Sequence, residues 1–263
     1  MEIRNRVWLG LGVVVVASAA FYMGTNSDQN DMGHDMDAMA DEGGEGGEGA
    51  STADAIADDA VYLAQLSFIR GHLNVGVNLY REGEMDASAT HMKHPGDELY
   101  TDLLPAMESR GAVDFADQLE GLASAVTEQK AIAEVEAAYT ALLSAITDAE
   151  NVVSDLNART LGTVMVDLVR TAAAEYDIAV GDAGQLENEH EYQDSLGFVR
   201  IAKEKLAQLE TLSDNSAALM AISTQLDTLL PIWPGLRAPS TLTTEPSVIY
   251  GAASRIEIAT LQL

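Results

Sequence analysis

No proline stands between Pro105 and Pro231, so nearly half of the 263-residue chain is free of the residue that most strongly breaks a helix. Apolar residues fill that stretch at helical spacing. Phe115, Leu119, Leu122 and Val126 recur at intervals of three and four, as do Val135, Tyr139, Leu142 and Ile146. Leu161, Met165, Leu168 and Ala172 repeat the pattern, followed by Leu219, Ile222, Leu226 and Leu229, and nothing alternates with a strand period. Hydrophobic residues make up 47% of the chain but aromatics only 5%, so the core must be built from aliphatic side chains and alanine. Such a core favours closely packed helices, and the expected class is all-α, a multi-helix domain resembling a four-helix bundle.

Polar breaks at Arg110-Gly111, from Asp155 to Thr160, from Gly181 to Gly184 and from Ser213 to Asn215 divide the pattern. They predict helices near 54–81, 97–109, 114–155, 160–180, 185–212, 215–230 and 246–261, with a break in the third near Gln129. Asp114 and Asp214 are the expected N-caps. The Pro231-Ile232-Trp233-Pro234-Gly235 turn separates the bundle from a last amphipathic helix, with Trp233 as a packing anchor. Phe68-Ile69-Arg70 and Leu168-Val169-Arg170 each open a helical run that ends at a glycine, Gly83 and Gly184, and each is followed by a polar His/Glu cluster. A duplicated helical hairpin would generate this echo, and so would chance, because few positions match.

The first residues follow a different logic. Arg4 and Arg6 precede an uncharged apolar run from Val7 to Met23, the layout of an export signal or an N-terminal membrane anchor, so residues 1–23 are expected to place the rest outside the cytoplasm. Ala17-Ser18-Ala19 suits cleavage, while the run itself is just long enough to span a bilayer. The expected location is periplasmic or otherwise extracytoplasmic. Residues 24–53 turn to Asp, Glu, Gly and Ser and form an acidic linker, leaving 54–263 as the helical domain. Within the linker, Met32-Gly33-His34-Asp35-Met36-Asp37-Ala38-Met39 carries soft ligands of the kind that suit Cu(I), although such runs also occur without a metal.

Lys and Arg total 14 against 42 Asp and Glu, a net charge of -28 that repels phosphate backbones and argues against nucleic acid as a partner. The absence of cysteine excludes disulfides, thiolate metal sites and a cysteine nucleophile. No Gly-x-Ser-x-Gly elbow, P-loop, dinucleotide fingerprint or His-Glu-x-x-His motif is present.

Chemistry concentrates in the histidines of the helical domain. His72 shares the apolar stripe of its helix with Phe68, Gly76 and Leu79, a position that packing explains, and Gly71 and Gly76 permit another helix to come close. His91 and His94 precede Pro95, which is expected to hold His94 extended at a helix end or loop, with Asp97 and Glu98 in the next first turn. Glu187, His190, Glu191 and Asp194 fall on one helical face, and Glu187-x-x-His190 has the spacing used in di-iron carboxylate bundles. On so acidic a chain a carboxylate stripe is also an ordinary solvated face. The candidate ligands are His72, His91, His94, Glu98, Glu187, His190 and Glu191. Imidazole and oxygen donors without sulfur fit iron, manganese, zinc or copper(II).

A ferritin-like site needs two Glu-x-x-His motifs, and the chain has one. The body resembles exported helical proteins of metal uptake such as the imelysin-type family, but it departs from the Gly-x-His-x-x-Glu motif. Gly71 directly adjoins His72, and Val75 stands where the glutamate belongs, so no residue roles carry over. The first expectation is an exported or tethered helical bundle that captures, stores or delivers a transition metal. The alternatives are an interaction module with a cell-envelope partner and a di-metal redox enzyme. The metal reading requires His91, His94 and His190 to converge on one ligand shell.

Overall fold

Asparagine, aspartate and glycine set several of the helix ends. In a computed structural model that describes residues 51–263, Asp58 caps α2 (Asp59–Glu82) by accepting from Ala60 N, and Gly83 closes it in the left-handed conformation at φ 86°. Asn157 caps α7 (Ala158–Ala179), Asn188 caps α8 (Glu189–Leu212) and Asn215 caps α9 (Ser216–Leu229). The remaining elements are α1 (Thr52–Ala57), α3 (Met85–His94), a π-helical turn (Pro95–Leu99), α4 (Tyr100–Arg110), α5 (Ala116–Thr127), α6 (Ile132–Glu150) and α10 (Pro246–Thr260). The class is all-α, and among the described residues strand pairing is limited to isolated bridges. The signal or anchor at 1–23, the Met/His run at 32–39 and the linker up to residue 50 lie outside the described residues.

Three differences from the sequence expectation have physical causes. The segment before Pro95 is helical, and His94 lies at φ -53°, ψ -50° rather than extended. The chain absorbs the proline by widening one turn, so that Tyr100 N bonds to Pro95 O in the i to i+5 register. The break expected near Gln129 is present, where that residue adopts φ 51° between α5 and α6. Helix α8 starts at Glu189 and not 185, because Gly181 N bonds Gln185 O in a tight turn and the Asn188 side chain takes the cap. Asn215, rather than Asp214, caps α9.

The last helix is a member of the bundle rather than an appendage. Helices α7 to α10 close a four-cornered arrangement in which α7 and α9 each touch both α8 and α10. The first half repeats the plan: α2 touches α3 and α6, and α5 touches the same two. Corresponding ion pairs bind the first long helix of each half to its last helix, Arg70 to Glu150 at 3.0 Å and Arg170 to Glu257 at 2.6 Å. The halves join where α2 packs on α7 and α8.

That junction depends on two glycines. A Cβ on Gly197 of α8 would lie 2.8 Å from the carbonyl oxygen of Gly71 on α2, so the two backbones touch. Gly76, one turn further along α2, admits α3: a Cβ there would fall 3.2 Å from His91 Cβ, and Ser88 Oγ donates to Gly76 O at 2.7 Å. Gly197→Ala is therefore expected to lower stability by about 1–3 kcal/mol through overpacking. Gly121→Ala, in the interior of α5 with nothing within 4 Å, should raise it by about 0.5–1 kcal/mol. Urea midpoints of the two variants would show the contrast, and equal effects would refute it.

Candidate metal centre

One carboxylate, Asp194, sits inside a ring of imidazoles. Its Oδ1 lies 2.6 Å from His72 Nδ1 and 3.0 Å from His91 Nδ1, and its Oδ2 lies 3.0 Å from His190 Nε2. The His91 and His190 rings stack with centroids 4.1 Å apart and planes 5° apart, and His94 stands edge-on to His72 at 4.7 Å. Three helices supply the set: α2 gives His72, α3 gives His91 and His94, and α8 gives His190 and Asp194. Asp194 and His72 are 1% exposed and His91 is 0% exposed, so water does not solvate the charge.

The approach of α2 to α8 at Gly71 and Gly197 brings His72, the next residue on α2, beside Asp194, three residues back on α8. The close seat of α3 at Gly76 does the same for His91. Phe198 walls the site, with its ring 5.2 Å from both His72 and Phe68. On the opposite side the chain after α9 runs back over the start of α8. Gln193 Oε1 lies 2.8 Å from His91 Nε2, while Gln193 Nε2 donates to the Leu236 carbonyl at 3.2 Å.

Burial pushes the His190 imidazole down to about 4, with the Asp194 carboxylate only partly opposing it, so this ring is neutral at pH 7. Burial alone would raise Asp194, but the imidazoles of His72 and His91 together hold it well below the usual carboxylate range. The result is an ionised oxygen donor among imidazole nitrogens in a dry site. Ligand atoms of His72, His91 and Asp194 all lie within 4.8 Å of one another, a separation that one ion can bridge.

Of the seven candidate ligands, the fold gathers His72, His91, His94 and His190. Glu191 is buried on α8 one turn before Asp194 and accepts from Asn188 Nδ2 at 3.3 Å. Glu187 lies outside the cluster, exposed ahead of the helix and bonded by Gln185 Nε2 at 2.8 Å, because Asn188 begins α8 after it. The side chain of Glu98 lies outside the described residues. The Glu187-x-x-His190 spacing thus does not act on a helical face here. A di-iron bundle centre takes four carboxylates, whereas among the described residues the mutually close ligand atoms include a single one.

Asp194 and Gln193 are the residues that selecting ligands from the sequence left out. Asp194 carries a signal, since it stands three and four residues before Gly197 and Phe198, where an apolar residue would extend the buried face of α8.

Residues 155–262 match the iron permease-associated 4-helix bundle domain. The matched segment coincides with α7 to α10 and covers less than half of the chain. It contains His190, Gln193 and Asp194, whereas His72, His91 and His94 come from the other half. No curated protein and no solved structure matches the chain. Among the described residues, no helix is long and apolar enough to cross a membrane.

The depressed His190 value predicts acid sensitivity of the metal-free protein. Its folded value, about 4, lies below the ordinary 6.5, so the unfolded chain takes up a proton that the folded chain refuses. The stabilisation is therefore complete above pH 6.5 and drains away as pH falls toward 4. Chelator-treated protein should lose on the order of 2 kcal/mol over that window, as read from urea midpoints, and His190→Gln should lose less than half as much. Equal losses would contradict the assignment.

Proposed function

We propose that this protein captures a transition-metal ion at the His72, His91 and Asp194 cluster and supplies it to a membrane uptake system, with iron as the cargo. The convergence of ligand atoms from His72, His91 and Asp194 within 4.8 Å, all buried, with Asp194 Oδ1 2.6 Å from His72 Nδ1 and 3.0 Å from His91 Nδ1, carries the reading. Two imidazoles and one carboxylate are a set that suits divalent iron, and His94 and His190 stand next to it. The similarity of residues 155–262 to an iron permease-associated domain favours iron over zinc, copper and manganese. It also favours a membrane permease as the partner, over a purely structural envelope module.

The other features agree with this role. The net charge of -28 draws cations toward the surface before the buried site selects among them. The basic and apolar run at residues 4–23 fits delivery of the domain to the outer side of a membrane, by export or by tethering. Capture and delivery require binding without chemistry, and a protein that only ligates its cargo needs no further reactive group.

The test uses the full chain in detergent, titrated anaerobically with iron(II) by calorimetry. Wild type should show one tight site. Asp194→Asn should weaken it by more than about 100-fold, beyond the 10- to 100-fold that a residue merely supporting a ligand costs. Glu187→Gln should bind as wild type does. An Asp194→Asn isotherm that overlays wild type would refute the site, since any binding by the Met32 to Met39 run persists in both.

A further inference from the structure

We infer that Gln193 is a positioning residue that fixes which nitrogen of His91 faces the metal, and that it couples metal occupancy to the segment after Trp233. The inference rests on the metal reading above and adds a residue and a moving part to it. Gln193 spends its amide N–H on the Leu236 carbonyl at 3.2 Å, and a carbonyl can only accept. The amide oxygen must therefore be the atom 2.8 Å from His91 Nε2, and that oxygen too can only accept. His91 Nε2 accordingly carries the proton. An ion that His91 ligates therefore takes the lone pair of Nδ1, the atom 3.0 Å from Asp194 Oδ1, in place of a proton. One amide thus orients the ring and selects its ligating tautomer, as the outer partners of metal-bound histidines do.

The same amide is one of several ties that hold residues 233–242 across the start of α8. Tyr192 Oη donates to Gly235 O at 3.1 Å, and Ala238 N donates to Glu189 Oε1 at 2.9 Å. Arg237 pairs with Glu84 at the surface. Beyond these, Leu186 N donates to Ser240 O at 3.2 Å and Leu242 N to Gly184 O at 2.7 Å. Trp233 at one end is buried edge-on against Tyr176, and Leu236 and Leu242 are buried, while Pro234, Arg237, Pro239, Ser240 and Thr241 face solvent. This is a strap: a non-helical segment pinned at points, with backbone hydrogen bonds near water. Such segments open more readily than helices do. A strap opening that withdraws the Leu236 carbonyl frees Gln193 to turn, and His91 loses the partner that holds its tautomer. By linkage, metal binding must then favour the closed strap.

Zinc(II) is the probe, being redox-inert, with the full chain in detergent. Wild type should bind it, and hydrogen exchange of peptides spanning 233–245 should slow on saturation. Gln193→Leu, which can neither accept from His91 nor donate to Leu236, should weaken zinc binding 10- to 100-fold and abolish that slowing. Gln193→Glu still presents an acceptor to His91 but cannot donate to Leu236, so it should keep more of the zinc affinity than Gln193→Leu while losing the slowing, an outcome that loss of packing alone would not give. Equal weakening in both variants would overturn the tautomer role. Wild-type zinc binding with unchanged strap exchange would overturn the coupling. Absence of zinc binding in wild type would overturn this inference together with the reading on which it rests.

Discussion

The contact between Gly71 and Gly197 is the constraint from which the site follows. Helix axes usually stay 8–10 Å apart because side chains intervene. At this junction neither helix has a side chain, and the backbones meet directly. The consequence is positional. Residues next to the contact on each helix, His72 and Asp194, come within 2.6 Å, too close for water to separate them. A larger residue at either glycine would not remove a ligand, yet it would open the ligand shell.

The site also shows why a buried carboxylate is tolerated at all. An isolated anion in a dry core is expensive, and the usual outcome is that the group takes up a proton. Asp194 instead remains ionised because imidazoles face both of its oxygens. Three helices and the strap each fix part of this arrangement. A cation entering such a site would meet donors already close together, which leaves the strap as the part that binding would order.

Much of the fold was legible in the sequence, because apolar spacing reports helices directly. The proline-free body, the glycine ends of α2 and α4 and the break at Gln129 all follow from local chemistry. The π turn at Pro95 was not legible: Pro-preceding residues favour extended backbone, and only packing of α3 against Gly76 and α5 makes a continuous helix through the proline worth its cost. The site was half legible. Histidines stand out in a chain with few of them, whereas aspartate in a chain with 42 acidic residues does not. Glu187 attracted attention through a spacing that holds only inside a helix, and a single capping asparagine placed it outside.

The division of the ligands between two four-helix halves has a consequence for the order of events in folding. His91 and Gln193, which touch, are 102 residues apart in sequence. Contacts of such separation form late, after each local bundle has collapsed, because closing a long loop must precede them. A chain emerging with only its first half folded carries three of the histidines without Asp194, and one with only its second half folded carries Asp194 with His190 alone. Neither intermediate has the whole cluster. It is completed when α2 seats on α8, after each half has formed.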